Sequence, residues 1–272
     1  MQYYIGIDLG TSSVKSLLME ENGRAVGTAQ VGYEIIKREQ QYAEQDIDLL
    51  CDAALRTVRS LLEKHQDARA CIKGVGFSGQ MHGLVMIGRD GKPLRNAIIW
   101  ADQRSQQEIQ NLYSIIPREE YHQISLNSLS TGFLISSLMW VKEHEPEVLL
   151  KAGAVLMPKD YIRFRMTGNL ASDVTDASAT ALFDTAKRDW AFGIIKKFGL
   201  PEKIFPACKE SMEVAGTVTR QCHEECGLKE GIPVVYGSGD QMAQSIGNGV
   251  FREGEVISNI GTGGQISAYI KE

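Results

Sequence analysis

Tyr3-Tyr4-Ile5-Gly6-Ile7-Asp8-Leu9-Gly10-Thr11-Ser12-Ser13-Val14-Lys15-Ser16-Leu17-Leu18-Met19 is the stretch that decides the fold. Tyr3 to Ile7 reads as a strand, Asp8 to Ser13 as a small-residue loop, and Val14 to Met19 as a second strand. Loops of this composition let backbone N–H groups and hydroxyls close around phosphate oxygens. The same plan returns near the other end. Glu255-Val256-Ile257-Ser258 leads into Asn259-Ile260-Gly261-Thr262-Gly263-Gly264, and Gln265 to Tyr269 follows as a strand. Two copies point to two related halves facing one nucleotide, the second barely begun.

The bulk properties narrow the class. With 272 residues, 43% hydrophobic and 23% charged, the composition is that of a soluble globular protein of one large or two ordinary domains. A net charge of -5 with no basic block argues against a nucleic-acid partner. The N-terminus reads as a strand rather than a secretory leader, and no apolar run reaches membrane-spanning length. Five scattered cysteines fit reduced thiols better than a disulfide framework. These features favour the cytoplasm. Cys222-His223-Glu224-Glu225-Cys226 lacks a second ligand pair at convincing spacing and reads as a structural stretch rather than a zinc site.

Along the chain, Asn22-Gly23 signals a hairpin into a strand from Arg24 to Val31. Asp46 is placed to cap a helix with Ile47, Leu50, Ala54, Val58 and Leu61 on one face. Ile72 to Phe77 reads as a buried strand, Ser78 to Gly83 as a loop, and Leu84 to Ile87 and Ile98 to Trp100 as short strands. From about 115 to 206 the pattern becomes a mostly helical insertion that overhangs the sheet. Regular α/β order returns with Ile232 to Tyr236, Gly237-Ser238-Gly239-Asp240 and a helix ending near Gly247-Asn248-Gly249. A hinge is expected around 247–254.

Several residues carry candidate chemistry. Asp8, at a strand end beside the loop, can hold a hydrated Mg²⁺ against phosphates. The hydroxyls of Thr11, Ser12 and Ser13 and the ammonium of Lys15 are placed to contact a transferring phosphoryl group. Asp240 follows a strand and opens a helix, a position that suits both an N-cap and a base accepting a proton from a substrate hydroxyl. A helix N-terminus would depress its pKa and weaken it as a base. Gln80, Met81 and His82 lie at a strand's C-terminal end, where open α/β sheets bind ligands, though a hydrogen-bonded structural histidine fits the position equally. Trp100 reads as core more readily than as a stacking platform.

Taken together, Gly6 to Lys15, Ser78 to Gly83, Trp100-Ala101-Asp102-Gln103-Arg104, Trp140 to Glu147, Pro158 to Gly168, Ser172 to Ser178 and Gly237 to Asp240 resemble the FGGY family of carbohydrate kinases, and within it the xylulokinase branch. The resemblance runs over nearly the whole chain. It implies an α/β fold of the actin-like, ribonuclease-H-like type, a mixed sheet flanked by helices, with ATP bound between two domains. On that pattern 1–247 is the N-terminal sugar-binding and catalytic domain. Residues 248–272 begin a C-terminal ATP-binding domain that is otherwise absent from this chain. Asp240 corresponds to the catalytic base and Asp8 to the phosphate- and Mg²⁺-side carboxylate. Met81 and His82, with Gln80 beside them, correspond to the ketose-binding group. Gly10, Thr11, Ser12 and Lys15 belong to the first phosphate loop, and Gly261, Thr262 and Gly263 to the second. The implied reaction is ATP-dependent phosphorylation of a ketose, D-xylulose to its 5-phosphate. Ribulose, gluconate or another polyol is the alternative substrate, and a sugar-binding module without turnover the alternative role. The resemblance leaves room for a homodimer. Ser137 departs from it, standing where the family usually has lysine.

Overall fold

The computed structural model describes residues 1–260 and 264–271. In β1 (Tyr3–Leu9), buried Ile5, Ile7 and Leu9 alternate with outward-facing Tyr4, Gly6 and Asp8, the period of a strand with one packed face. β2 (Ser13–Glu20) returns antiparallel from Leu9↔Val14 to Tyr3↔Glu20, and the Gly10 N–H donates to the Ser13 carbonyl at 3.0 Å across the loop. Gly23, at φ 87°, turns the chain into β3 (Ala25–Gly32), a left-handed conformation that glycine adopts without a Cβ clash.

After β4 (Glu44–Gln45), the Asp46 carboxylate accepts from the N–H groups of Asp48 and Leu49 at 3.0 and 3.2 Å. It thereby caps α1 (Ile47–Lys64), whose expected face, Ile47 to Leu61, packs into the core below the sheet. The one-turn α2 (Gln66–Arg69) leads to β5 (Ile72–Gly79), which runs parallel to β1.

The chain then forms β6 (Val85–Gly88), β7 (Ala97–Ile98), α3 (Gln106–Ile115), α4 (Arg118–Ser125), α5 (Leu134–His144), α6 (Pro146–Lys151), β8 (Ala152–Leu156) and α7 (Pro158–Thr167). Next come β9 (Ser172–Asp173), α8 (Val174–Ala179), β10 (Phe183–Asp184), β11 (Asp189–Trp190), α9 (Phe192–Lys197) and β12 (Cys208–Lys209). The segment 115–206, expected as an overhanging helical insertion, divides between two cores. Leu134, Leu138, Phe183, Trp190 and Ile194 gather in a second apolar cluster. β8 instead pairs antiparallel with β6, and Tyr161, Ile162 and Met166 of α7 enter the sheet's own core. The β6–β8 pair forms a wall between the cores. Val85, Ile87, Ala154 and Leu156 face one cluster, while Met86 and Val155 face the other. Such a wall is apolar on both sides.

β13 (Val214–Thr217), α10 (Arg220–Cys226), β14 (Pro233–Val235), β15 (Ser238–Gly239) and α11 (Asp240–Gly247) complete the main unit. The sheet order is β13-β14-β5-β1-β2-β3, with β15 also pairing β5. β16 (Val256–Ile260) and β17 (Gly264–Ala268) form a separate antiparallel pair. Cys222 and Cys226 are buried on α10 with their sulfurs 3.7 Å apart, and His223 Nδ1 donates to the Leu228 carbonyl at 2.6 Å. No helix among the described residues is long and apolar enough to cross a membrane.

Candidate active site

Three strand ends converge on one cleft. Asp8 of β1 lies opposite Ser78 of β5, and Ser78 lies opposite Ser238 of β15, all in parallel register. The outer strands therefore stand two inter-strand spacings apart, about 10 Å. Asp240 follows β15 directly, so two carboxylates flank a cavity of about 930 Å³. Ligands enter such sheets at the C-terminal ends of parallel strands.

The Ser78 hydroxyl donates to Asp8 Oδ1 at 2.9 Å. Among the described residues no lysine or arginine forms an ion pair with Asp8, which leaves Oδ2 available to the water shell of a hydrated Mg²⁺. A hard, water-retaining cation suits that donor. Asp240 is the first residue of α11 rather than its cap, a place taken by Gly239. The expected depression of its pKa is reversed. Burial pushes the carboxyl above its ordinary value and the Asp8 charge adds to this, outweighing the hydrogen bond from the Gln241 N–H.

Met81 and His82 line the cavity, and Gln80 does not. Met81 is buried against Gly239, where an added Cβ would come within 2.7 Å of its Cγ and Sδ. His82 adopts φ 71° and stacks on Phe133 at 4.0 Å with the rings 3° apart. Its Nδ1 lies 2.7 Å from the Ala179 carbonyl oxygen. That oxygen only accepts, so Nδ1 carries the proton. Burial lowers the pKa of His82 against the opposing effect of this bond, keeping the ring neutral and Nε2 an acceptor. Gln80 works from beneath. It donates to Gln45 Oε1 at 2.8 Å, and Gln45 Nε2 donates to the Thr11 carbonyl at 2.7 Å, tying the first loop down.

Trp100 departs from the core reading. It is 49% exposed, lines the cavity, and donates from Nε1 to Thr11 Oγ1 at 2.8 Å. The loop behind it is fixed by Asp102, which accepts from Arg104 at 2.7 Å and from the Ala43 N–H at 2.7 Å. Arg104 stacks over Tyr42 and Trp140, 3.7 and 4.8 Å from the ring centroids. Of the phosphate-loop residues, Thr11 lines the cavity; the side chains of Ser12 and Lys15 are exposed and lie outside its lining. Gly10 sits where a Cβ would meet the Ser13 carbonyl at 3.0 Å. Gly261, Thr262 and Gly263 lie outside the described residues.

Ser130, Thr131, Phe133, Gln103 and Gln241 also line the cavity and were not anticipated. Gly132 offers the one local signal, since its φ of 74° and its closeness to the Trp100 carbonyl exclude a side chain. The described lining includes the carboxylates of Asp8, Asp240 and Asp102, the last paired with Arg104, and no lysine or arginine.

A family model described as the FGGY family of carbohydrate kinases, N-terminal domain, matches residues 3–247. A xylulose kinase of Bacillus subtilis (strain 168) is 34% identical over 272 residues, all of this chain and 54% of the relative. A xylulose kinase of Escherichia coli (strain K12) is 36% identical over 263 residues, 96% of this chain and 53% of the relative. The chain thus spans about half the length of the curated relatives it matches. Among solved structures, a xyloylose kinase from Brucella ovis aligns with TM-score 0.93 at 32% identity, covering 98% of this chain and 55% of that one. A gluconate kinase from Lactobacillus acidophilus aligns with TM-score 0.92 at 27% identity, covering 97% and 53%. With the glycine-rich loop, the paired aspartates and the strand-end cleft all in place, this chain belongs to the FGGY family of carbohydrate kinases and carries its N-terminal domain.

Proposed function

We propose that residues 1–247 form the sugar-side half of an ATP-dependent kinase that converts D-xylulose to D-xylulose 5-phosphate, and that 248–272 begin the nucleotide-side half. The observation that carries the reading is the convergence of Asp8, Asp240, Met81 and His82 on one cavity. Asp240 accepts the proton of the ketose 5-hydroxyl as that oxygen forms its bond to the γ-phosphorus. The bond from phosphorus to the β–γ bridging oxygen breaks, and ADP leaves with the electron pair. Its raised pKa improves Asp240 as a base relative to an ordinary carboxylate. His82 Nε2 accepts from a sugar hydroxyl, and Met81 supplies an apolar wall. Thr11 and Asp8 would hold the phosphate side, with Asp8 contacting Mg²⁺ through water; when bound, the ion neutralises phosphate charge.

The gluconate kinase likeness raises a second substrate. A sugar acid brings a carboxylate into a cavity whose described lining holds Asp8, Asp102 and Asp240 and no lysine or arginine, an arrangement that repels it. The site chemistry favours a neutral ketose. A coupled assay on the longest reading frame containing residues 1–272 checks this: D-xylulose is expected to exceed gluconate in kcat/KM by at least tenfold, and the reverse order would sink the ketose reading. Calorimetry on residues 1–272 alone is expected to show xylulose binding with weak MgATP binding. Tight nucleotide binding and normal turnover by this chain would contradict the half-site reading.

A further inference from the structure

Behind the cleft lies a buried ionic cluster that the chemistry above does not use. Lys159, Asp160, Arg163, Asp173 and Asp176 are all fully buried. The Lys159 ammonium donates to Asp160 Oδ1 and Asp173 Oδ2 at 2.8 Å each and stands 3.2 Å from Asp176 Oδ2. The three aspartates have the spacing of a metal site, but the ammonium already occupies their centre. Burial lowers the pKa of Lys159; the surrounding carboxylates outweigh that and hold the ammonium above the ordinary lysine range. Burial raises the pKa of Asp176 well above the ordinary carboxylate value against the pull of the Lys159 ammonium, and the charges of Asp173 and Asp160 add to the rise. The three aspartates share the two cations Lys159 and Arg163, the pairing that buried charge requires.

Arg163 and Asp160 of this cluster bond to the Ala171 carbonyl and the Ser172 hydroxyl, while Lys159 and Asp173 lead to one loop before Asp240. Lys159 Nζ donates to the Tyr236 carbonyl at 3.2 Å. The Thr175 hydroxyl donates to Asp173 Oδ1 at 2.5 Å and accepts from the Gly239 N–H at 2.9 Å. Ser211 donates to the same Asp173 oxygen at 3.1 Å, and its carbonyl accepts from the Gly237 N–H at 2.9 Å. Tyr236, Gly237 and Gly239 are thus fixed immediately before Asp240. The turn between them needs this support: Gly237 has φ 77° and lies where a Cβ would come within 2.5 Å of the Phe77 carbonyl oxygen.

We propose that the Lys159–Asp173–Thr175 chain is a positioning device for Asp240, transmitting a fixed buried charge pattern through the Thr175 hydroxyl to the Gly239 backbone. This rests on the reading of Asp240 as the base. Thr175 and Lys159 are positioning residues, since neither lines the cavity. Misplacing a base by a fraction of an ångström to one ångström lowers turnover by on the order of tenfold to a hundredfold.

Lys159→Met would strand buried carboxylates and fail to fold, so the test uses Thr175→Val, which keeps the shape and removes the hydroxyl, and Thr175→Ser, which restores it. In the longest reading frame containing residues 1–272, Thr175→Val is expected to lower kcat for sugar phosphorylation at least tenfold, with sugar KM within about threefold of the parent. Thr175→Ser should stay within about threefold in both. In residues 1–272, amide exchange at Gly239 should quicken at least tenfold in Thr175→Val and not in Thr175→Ser. Parent-like kcat and Gly239 exchange in Thr175→Val, beside an inactive Asp240→Asn, would overturn the positioning role and leave the kinase reading standing. Parent-like turnover in Asp240→Asn would instead remove the base assignment, and this inference with it.

Discussion

Residues 3–20 and 256–268 follow the same plan of strand, glycine-threonine loop and strand, yet they meet different surroundings. In the first, Ile5, Ile7 and Leu9 are 1%, 1% and 0% exposed inside a seven-stranded sheet. In the second, Val256 and Ile266 are 56% and 76% exposed on a two-stranded pair. The first loop is pinned by Tyr33 donating to the Gly10 carbonyl at 2.5 Å, by Gln45 and by Trp100. At the second, Asn259 reaches Gln244 only at 3.5 Å, the limit of a hydrogen bond. In the first copy the packed sheet and the side-chain anchors hold the loop as a fixed surface.

Core truncation separates the two copies most. Leu9→Ala should cost about 2–5 kcal/mol in urea unfolding of residues 1–272, while Ile266→Ala should stay within about 0.5 kcal/mol. Equal losses would break the comparison. Gly239→Ala comes next. Its methyl group would displace Met81 from the cavity wall, and xylulose affinity by calorimetry should fall about tenfold, or about 1.4 kcal/mol; unchanged affinity would remove Met81 from the sugar site. Trp100→Phe keeps an aromatic side chain but removes the indole N–H and its bond to Thr11, at a cost of about 1 kcal/mol, read as a few-fold rise in the KM for MgATP.

The smallest effect is in pH. Asp240 is raised, so the folded chain takes its proton first; the acidic limb of kcat/KM should lie above the ordinary value of 3.8 and vanish in Asp240→Asn. His82 is lowered, so the unfolded chain takes its proton first. Its stability contribution is complete above about pH 6.5 and declines as the pH falls toward the folded value. An acidic limb at or below 3.8 would contradict the burial of Asp240.

Much of the first region was legible because its signals are local. The buried face of Ile5 and Ile7, the Asn22-Gly23 turn and the Asp46 cap each act within a few residues, whereas Leu9, expected in the loop, extends the strand. Asp8 near the end of its strand, and Met81, His82 and Asp240 just after theirs, meet because those strands end at one edge. What escaped depends on distant partners. Trp100 is held outward by Thr11, 89 positions away. Lys159 and Arg163 look like solvent-facing helix residues until Asp173 and Asp176 are brought against them. α7 has a helical pattern, but nothing in that pattern says which core it enters.

The central claim is that Asp240 is the base of a sugar kinase whose first loop is preorganised by the sheet. Its most direct test is phosphoryl transfer from MgATP to D-xylulose by the longest reading frame containing residues 1–272, with Asp240→Asn beside the parent. Asp240→Asn is expected to show a kcat at least a hundredfold lower with xylulose affinity within about threefold. A variant that keeps the parent kcat would contradict it.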